Sequence, residues 1–230
     1  MKDRRSFGKI ASDISILYEL SLAIGQSLDL RENCDRFLKT LMARKNLGYA
    51  SVWIRQELLA GPEGSDIGGS GNHAVLVYAN PRFRIKETRL PLHHPLFTIL
   101  KGREVFSVAS PEPVFQEFVT EKGINKGAFA IFAMGDLGVL KLYSMTREVP
   151  FEDWEMNQLR NVISKFTVSV QACLAHKKAM AEVEARKRAE EIARDSEKHL
   201  KTIWDSTQAG IIVIDPDSHI IVDANAAAVG

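Results

Sequence analysis

The sequence predicts an α+β fold, an antiparallel sheet with helices on one face and a long helix toward the C-terminus. Three observations carry this reading. Two apolar helical stretches precede the first strand-like run, two later runs face each other across a Gly135-Asp136 hairpin, and beyond Phe151 a helical pattern continues without Pro or Gly as far as Gly210. The 230 residues suffice for one or two domains. With 45% hydrophobic and 26% charged residues the composition is that of an ordinary globular protein, which excludes a wholly disordered or collagen-like chain. The 30 basic and 29 acidic side chains leave a formal charge of +1, so no global field draws the chain to nucleic acid or to an anionic membrane. Cys34 and Cys173 have neither CxxC nor Cys/His spacing, which argues against a zinc site or a disulfide framework and fits a cytoplasmic setting. The longest apolar stretch, Gly127 to Met134, is far shorter than the ~18 residues of a membrane span, and no apolar run follows the basic N-terminus as a secretory signal requires.

In chain order, Ile10, Ile14, Leu17, Ile24 and Leu28 recur at helical spacing and predict a first helix with one buried stripe. Asp29 followed by Glu32 has capping-box spacing and starts a second, with Phe37, Leu38, Leu41 and Met42 as its apolar face. Gly48 ends it. Tyr49 to Arg55 is aromatic and β-branched, as a strand should be. Gly61 to Gly71 is so rich in Gly and Ser that it reads as a mobile loop. His73 to Ala79 is a second strand, a short helix follows around Phe97 to Leu100, Glu104 to Val108 is strand-like, and Pro113 to Lys122 reads as another short helix. Gly127 to Met134 and Leu137 to Ser144 are the central antiparallel strands.

The helical run after Phe151 would reach roughly 80 Å at ~1.5 Å per residue, too long to bury against one small domain. Leu159, Ile163, Phe166, Val170 and Cys173 form a heptad-like stripe that Lys177 interrupts. Beyond it, Glu182-Arg186, Glu184-Arg188, Glu190-Arg194 and Glu197-Lys201 stand at i to i+4 spacing, each worth ~0.2 to 0.5 kcal/mol in an isolated helix. A solvated helix and a flexible charged linker both remain open for this part.

The helices leading into Tyr49-Ala-Ser-Val-Trp-Ile, then Leu90-Pro-Leu, Lys101-Gly-Arg-Glu-Val-Phe, and Leu137-Gly-Val-Leu-Lys-Leu-Tyr-Ser with Val149-Pro-Phe-Glu-Asp behind it, resemble a GAF domain over about residues 10 to 175. The stretch from Ser196 to Asp215, with His219-Ile-Ile-Val-Asp-Ala-Asn behind it, is similar to the opening of a PAS domain, with a strand, a turn, a second strand and an Asn starting a helix. These resemblances imply a tail over 1–9, a GAF domain over 10–175, a helical or coiled-coil linker over 176–206 and the start of a PAS domain over 207–230. They imply a sensor and dimerisation module of a multidomain signal-transduction protein, with a two-component histidine kinase as the expected parent, and no enzyme activity in this part.

The GAF resemblance places a small-molecule pocket on the sheet face opposite the helices. Strand alternation puts Leu140 and Leu142 on one face and Lys141 and Tyr143 on the other. The candidate ligand-binding residues are Trp53, His93, His94, Phe97, Phe115, Phe129, Ile131, Lys141 and Tyr143, with Phe118 as further apolar lining. Lys141 either meets an anionic ligand or is a solvated side chain at the pocket mouth. Cyclic-nucleotide GAF domains carry an Asn-Lys pair where Ser144-Met145 stands here, and the neighbourhood of Val114 lacks the Cys that holds a bilin. Reduction of free methionine sulfoxide, which one branch of the family performs with pocket cysteines, is disfavoured because Cys34 and Cys173 fall on predicted helices. No metal ligand set is apparent. The cofactor is unassigned, haem being the one alternative, with His73, His93 or His94 as axial ligand. Leu159, Ile163, Phe166, Val170 and Cys173 are expected to form the interface of a homodimer through the first and exit helices.

Overall fold

A computed structural model describes residues 14–59 and 72–229. The tail over 1–9, Ile10 and the loop from Gly61 to Gly71 lie outside the described residues. Two compact units emerge, Met1–Ala179 and Met180–Gly230.

In the first unit, a helix over residues 14–22 (α1) and a turn lead to α2 (Leu30–Lys45). There follow β1 (Tyr49–Arg55), β2 (His73–Asn80), β3 (Arg89–Pro91), the short α3 (Pro95–Thr98), β4 (Val105–Ala109), a 3-10 helix at Pro113–Phe118, β5 (Ala128–Ala133), β6 (Gly138–Ser144) and the first half of α4 (Asp153–Ser206), whose second half belongs to the second unit. The strands form one antiparallel sheet in the order β3-β2-β1-β6-β5-β4.

Strand alternation divides the apolar side chains between two cores. Ala50, Val52 and Ile54 of β1, Ala128, Ala130 and Phe132 of β5, and Leu140 and Leu142 of β6 join α1, α2 and α4 in the first. Tyr49, Trp53, Phe129, Ile131, Val139 and Tyr143 point the other way, into a second core roofed by the segment from β3 to the 3-10 helix. The expected hairpin at Gly135-Asp136 is present, with Ala128 opposite Ser144 and Ala133 opposite Val139. Gly127 enters it at φ +112, and a Cβ there would stand 2.4 Å from the carbonyl oxygen of Ser144, so only glycine fits.

The helices are cut by their caps. Asp29 accepts from the Glu32 backbone N–H at 2.8 Å, while the Glu32 carboxylate accepts from the Ser27 hydroxyl at 2.7 Å instead of closing the capping box on itself. Asn46, left-handed at φ 51, ends α2 two residues before Gly48.

Three expectations are corrected. The first helix ends at 22, and its buried side is formed by Leu20 with Ile16 and Leu17, Ile24 packing on the core from the turn that follows, whereas Ile14 and Leu28 are exposed. Pro113 to Lys122 is helical only to Phe118, because Thr120 and Glu121 turn inward. Third, Leu159, Ile163, Phe166, Val170 and Cys173 are not an exposed stripe: all five are buried within this chain. Phe166 stacks on Phe37 of α2 with ring centroids 4.3 Å apart. A helix stripe that covers a sheet and a second helix has the same spacing as one that covers a partner chain, so the sequence pattern did not distinguish them.

In the second unit, β7 (Ile212–Ile214) and β8 (Ile221–Ala224) form a hairpin followed by α5 (Ala226–Val229). The Asp215 carboxylate accepts from the backbone N–H groups of Asp217 and Ser218, which hold its pKa below the usual range and close the turn. Asn225 is buried and binds five backbone groups: its Oδ1 accepts from Ile211 and Ala228, and its Nδ2 faces the carbonyls of Trp204, Thr207 and Ala209. Ile212, Ile214, Ile220 and Val222 are exposed. On the second half of α4 only one of the four expected pairs forms, Glu184 with Arg188 at 3.5 Å, and Arg186 turns instead to Glu190 at 2.8 Å.

Phe166→Ala should lower stability by about 3 to 5 kcal/mol, the range for deleting a fully buried aromatic ring, while Val168→Ala two residues on, at an exposed position, should stay within about 0.5 kcal/mol. Urea denaturation compares them, and equal costs would show that the stripe is not core.

Candidate functional site

Three rungs of paired residues cross the sheet face opposite the helices. Tyr49, Tyr143 and Phe129 form an aromatic rung, Ser51, Lys141 and Ile131 the next, and Trp53 and Val139 a third. Phe115 stacks on Phe129 at 4.8 Å, and Phe129 tilts against Tyr143 at 5.3 Å. The Tyr143 hydroxyl donates to the Lys126 carbonyl at 2.7 Å, and burial pushes its pKa up. Trp53 donates to the Ser51 hydroxyl at 3.3 Å.

Lys141 stands at the centre, fully buried. It is neither solvated nor free for a ligand. Its ammonium contacts both oxygens of Glu121 at 2.7 and 3.0 Å, donates to the Thr120 hydroxyl at 3.1 Å and to the Phe118 carbonyl, and lies 4.0 Å from the centroid of the Phe129 ring. Its three N–H donors are thus met by three residues that are close neighbours in sequence. Burial lowers the Lys141 pKa, and the Glu121 carboxylate opposes that shift. Glu121 in turn accepts from the Thr120 backbone N–H at 3.0 Å and from its hydroxyl at 2.9 Å.

The carboxylate is carried by a strap rather than by a regular element. Glu121 makes an isolated bridge to Ile85, and the Lys122 N–H donates to the Arg84 carbonyl at 2.7 Å. The segments 82–88 and 118–122 therefore hold each other across the face. A lone lysine inside an apolar central strand was the available signal, since a fully buried cation needs a counter-charge. Its partner was hidden by the helical reading of Pro113 to Lys122, which would have put Glu121 on a solvent face.

Of the candidate residues, Trp53, Phe115, Phe129, Ile131, Lys141 and Tyr143 lie in this buried layer, with Phe97 packed on its edge. Phe118 lies there too, against Phe106 at 5.3 Å. His94 serves the backbone: its Nδ1 accepts from the Leu96 N–H at 3.1 Å as the cap of α3, and burial followed by the nearby Lys141 charge lowers its pKa. His93 is exposed, and the Nδ1 of His73 finds no hydrogen-bond partner among the described residues. Beside Phe97 a hollow of about 240 Å³ opens, with Leu92, Leu100 and Val139 as apolar wall and Arg55 and Lys101 among its lining. It is too small for a porphyrin, so this geometry lends haem no support. Cys34 and Cys173 belong to the helix side, and burial pushes both thiols up, so neither presents a thiolate to this face.

Lys141→Met leaves the Glu121 carboxylate buried without its counter-charge and should cost about 3 to 5 kcal/mol, whereas Lys141→Met combined with Glu121→Leu should regain most of that loss. Urea titrations of the single and double variants measure the coupling. A double variant as unstable as the single would show that the two charges do not depend on each other.

No family model matches the sequence, and no curated protein matches it. Solved structures do. The GAF domain of a phosphoenolpyruvate-protein phosphotransferase from Coxiella burnetii is similar with a TM-score of 0.56 at 10% identity, over 73% of this chain and 97% of that one. The free methionine-R-sulfoxide reductase from Neisseria meningitidis, in complex with its substrate, gives 0.55 at 12% identity over 72% and 92%. The GAF domain of an Acinetobacter phosphoenolpyruvate-protein phosphotransferase gives 0.53 at 14% identity over 72% and 94%. The six-stranded antiparallel sheet, with helices on one face and a roofed second core on the other, is the fold of the GAF domains.

Proposed function

We propose that residues 14–179 are the sensory, regulatory module of a multidomain signal-transduction protein, holding a small molecule on the sheet face opposite the helices and relaying its presence through α4. The observation that carries this reading is the hollow at Phe97, walled by Leu92, Leu100 and Val139 and flanked by Arg55 and Lys101, on the sheet face that also buries the Lys141–Glu121 pair. Replacing a buried ion pair by apolar residues of similar volume is often neutral or stabilising, so a core that only had to be stable would not need one. An apolar hollow with a few convergent charged groups, on a face that also buries a perturbed lysine, is a candidate binding site. At about 240 Å³ the hollow lies below the ~300 Å³ where drug-sized pockets begin, which suits a small metabolite.

The ligand is a small carboxylic acid, its apolar part on Leu92, Phe97 and Leu100 and its anionic end toward Arg55 and Lys101. Arg55 has only an exposed pairing with Glu57 at 3.6 Å to give up, which costs little. The second reading, a ligand-free relay, is favoured by the aromatic filling of Phe115, Phe129 and Tyr143. Thermal melts with a panel of small carboxylic and amino acids, together with native mass spectrometry of the purified chain, separate the two. We expect a saturable rise in melting temperature with at least one acid, lost when Arg55→Glu and Lys101→Glu are combined. No shift from any acid and a bare-chain mass would leave the relay reading.

The module is a homodimer whose contact lies on the outer face of α1. Ile14, Tyr18 and Leu22, at i, i+4 and i+8, are exposed, which is unusual for large apolar side chains in a continuous row. The exposed isoleucines and valines of the hairpin, and the position of Asn225 at the start of α5, support reading the second unit as the opening of a PAS domain that passes the signal to a histidine-kinase output. Light scattering at micromolar concentration should report a dimer for the wild type and a monomer for Tyr18→Glu with Leu22→Glu. A monomeric wild type would dismiss the α1 interface.

A further inference from the structure

We propose a second binding site, on the helix side of the first unit, for an aliphatic carboxylate of medium length. A cavity of about 500 Å³ opens there between the α1–α2 corner, β2 and the last turns of α4 in this unit. That volume lies within the ~300 to 1,000 Å³ typical of ligand pockets. The sheet face occupied by Lys141 and the hollow at Phe97 belong to the opposite side, so the two sites share no residue.

The floor is made by a departure from regular strand geometry. Val52 pairs with Tyr78 and Trp53 with Leu76, so Val77 is an extra residue in β2. The bulge turns Val77 and Tyr78 both toward the helices, where simple alternation would have sent one of them to the other face. The Tyr78 hydroxyl donates to Asp35 at 2.9 Å and is thereby fixed. Val77 is left as an apolar floor, and Leu28 and Leu30 are the apolar wall.

The rim carries the cations Arg31 and Lys177, with His176 and Cys173 also lining it. Neither Arg31 nor Lys177 forms a salt bridge with another described residue. Asp29 is the one anion on the rim, and it already accepts from the Glu32 N–H as the cap of α2. An aliphatic tail on Leu28, Leu30 and Val77 with a carboxylate toward Arg31 and Lys177 satisfies both parts of the cavity, and arginine offers the planar fork that a carboxylate fits. The walls are held in place before any ligand arrives. Asn33 is fully buried, accepts from the Gly25 N–H at 3.0 Å and donates to the Ser169 hydroxyl at 2.7 Å, which ties the corner to α4. Cys173 is the last buried residue of α4, and His176 and Lys177 follow within about one turn, so an occupant would extend the hold on the helix beyond its own apolar contacts.

Titration of the full 230-residue chain with octanoate, octanol and inorganic phosphate, followed by calorimetry and by amide NMR, tests the site. Octanoate should bind saturably at one site with shifts at Arg31, Val77 and Lys177, and octanol and phosphate should each bind at least about tenfold more weakly, because each offers only half of the recognition. Combining Arg31→Glu with Lys177→Glu, both at exposed positions, should weaken octanoate by about tenfold or more and leave octanol unchanged. Leu28→Asp, also exposed, should weaken both the acid and the alcohol. Equal affinity for octanoate and octanol, octanoate binding that survives the double charge reversal, no saturable binding, or shifts confined to residues around Phe97 would each overturn the proposal.

Discussion

The burial of β1, β5 and β6 on both faces is the constraint on which the rest of the first unit depends. A strand covered on one side only can place polar residues on the other, but here every alternate position must find an apolar layer. The helices supply one layer. The other has to be assembled from irregular chain between β3 and β5, and that is where the strap, the short α3 and the 3-10 helix lie. Irregular backbone under a sheet brings polar groups into an apolar space, and the Lys141 ammonium meets three of them, the side chains of Thr120 and Glu121 and the Phe118 carbonyl. The buried cation and the irregular roof are therefore two parts of one solution: the lysine gives the roof's polar groups a partner, and the roof gives the lysine its counter-charge.

This arrangement explains why some features were legible in the sequence and others were not. The strand residues of β1, β5 and β6 carried their own evidence, since alternation and a Gly-Asp turn are local, and the side on which Lys141 lies follows from counting along one strand. The partner of Lys141 is 20 positions away and joined to it only through the packing of the roof, which no local pattern reports. The phase of α1 was misread for a related reason. Ile14 and Leu28 match a helical stripe, but the helix stops at 22 and the corner that follows is set by Asn33 and Ser169, so Leu28 ends outside the core. The stripe on α4 is legible as apolar, but spacing says that a face is covered and not by what.

The sheet face around Lys141 and the helix-side cavity differ in how they are maintained. Around Lys141 the side chains fill the space themselves, and aromatic stacking with a desolvated ion pair makes that layer rigid and intolerant of partial change. The cavity under the α1–α2 corner is kept open by backbone devices, an added residue in β2 and a buried asparagine, which fix its walls without filling it. Deep packing and hollow space thus coexist in one small unit without competing for the same residues.

Asn225 has a consequence of a different kind. One side chain serves backbone groups from the end of α4, from the lead into β7 and from α5, so each of these three pieces completes its hydrogen bonding only with the other two in place. The last turn of α4, the hairpin and α5 are accordingly coupled to one another through this residue. A chain emerging during synthesis would carry its helix end and first strand unfinished until residue 225 had cleared the ribosome, which makes the order of synthesis, and not only the final fold, part of how this unit is built.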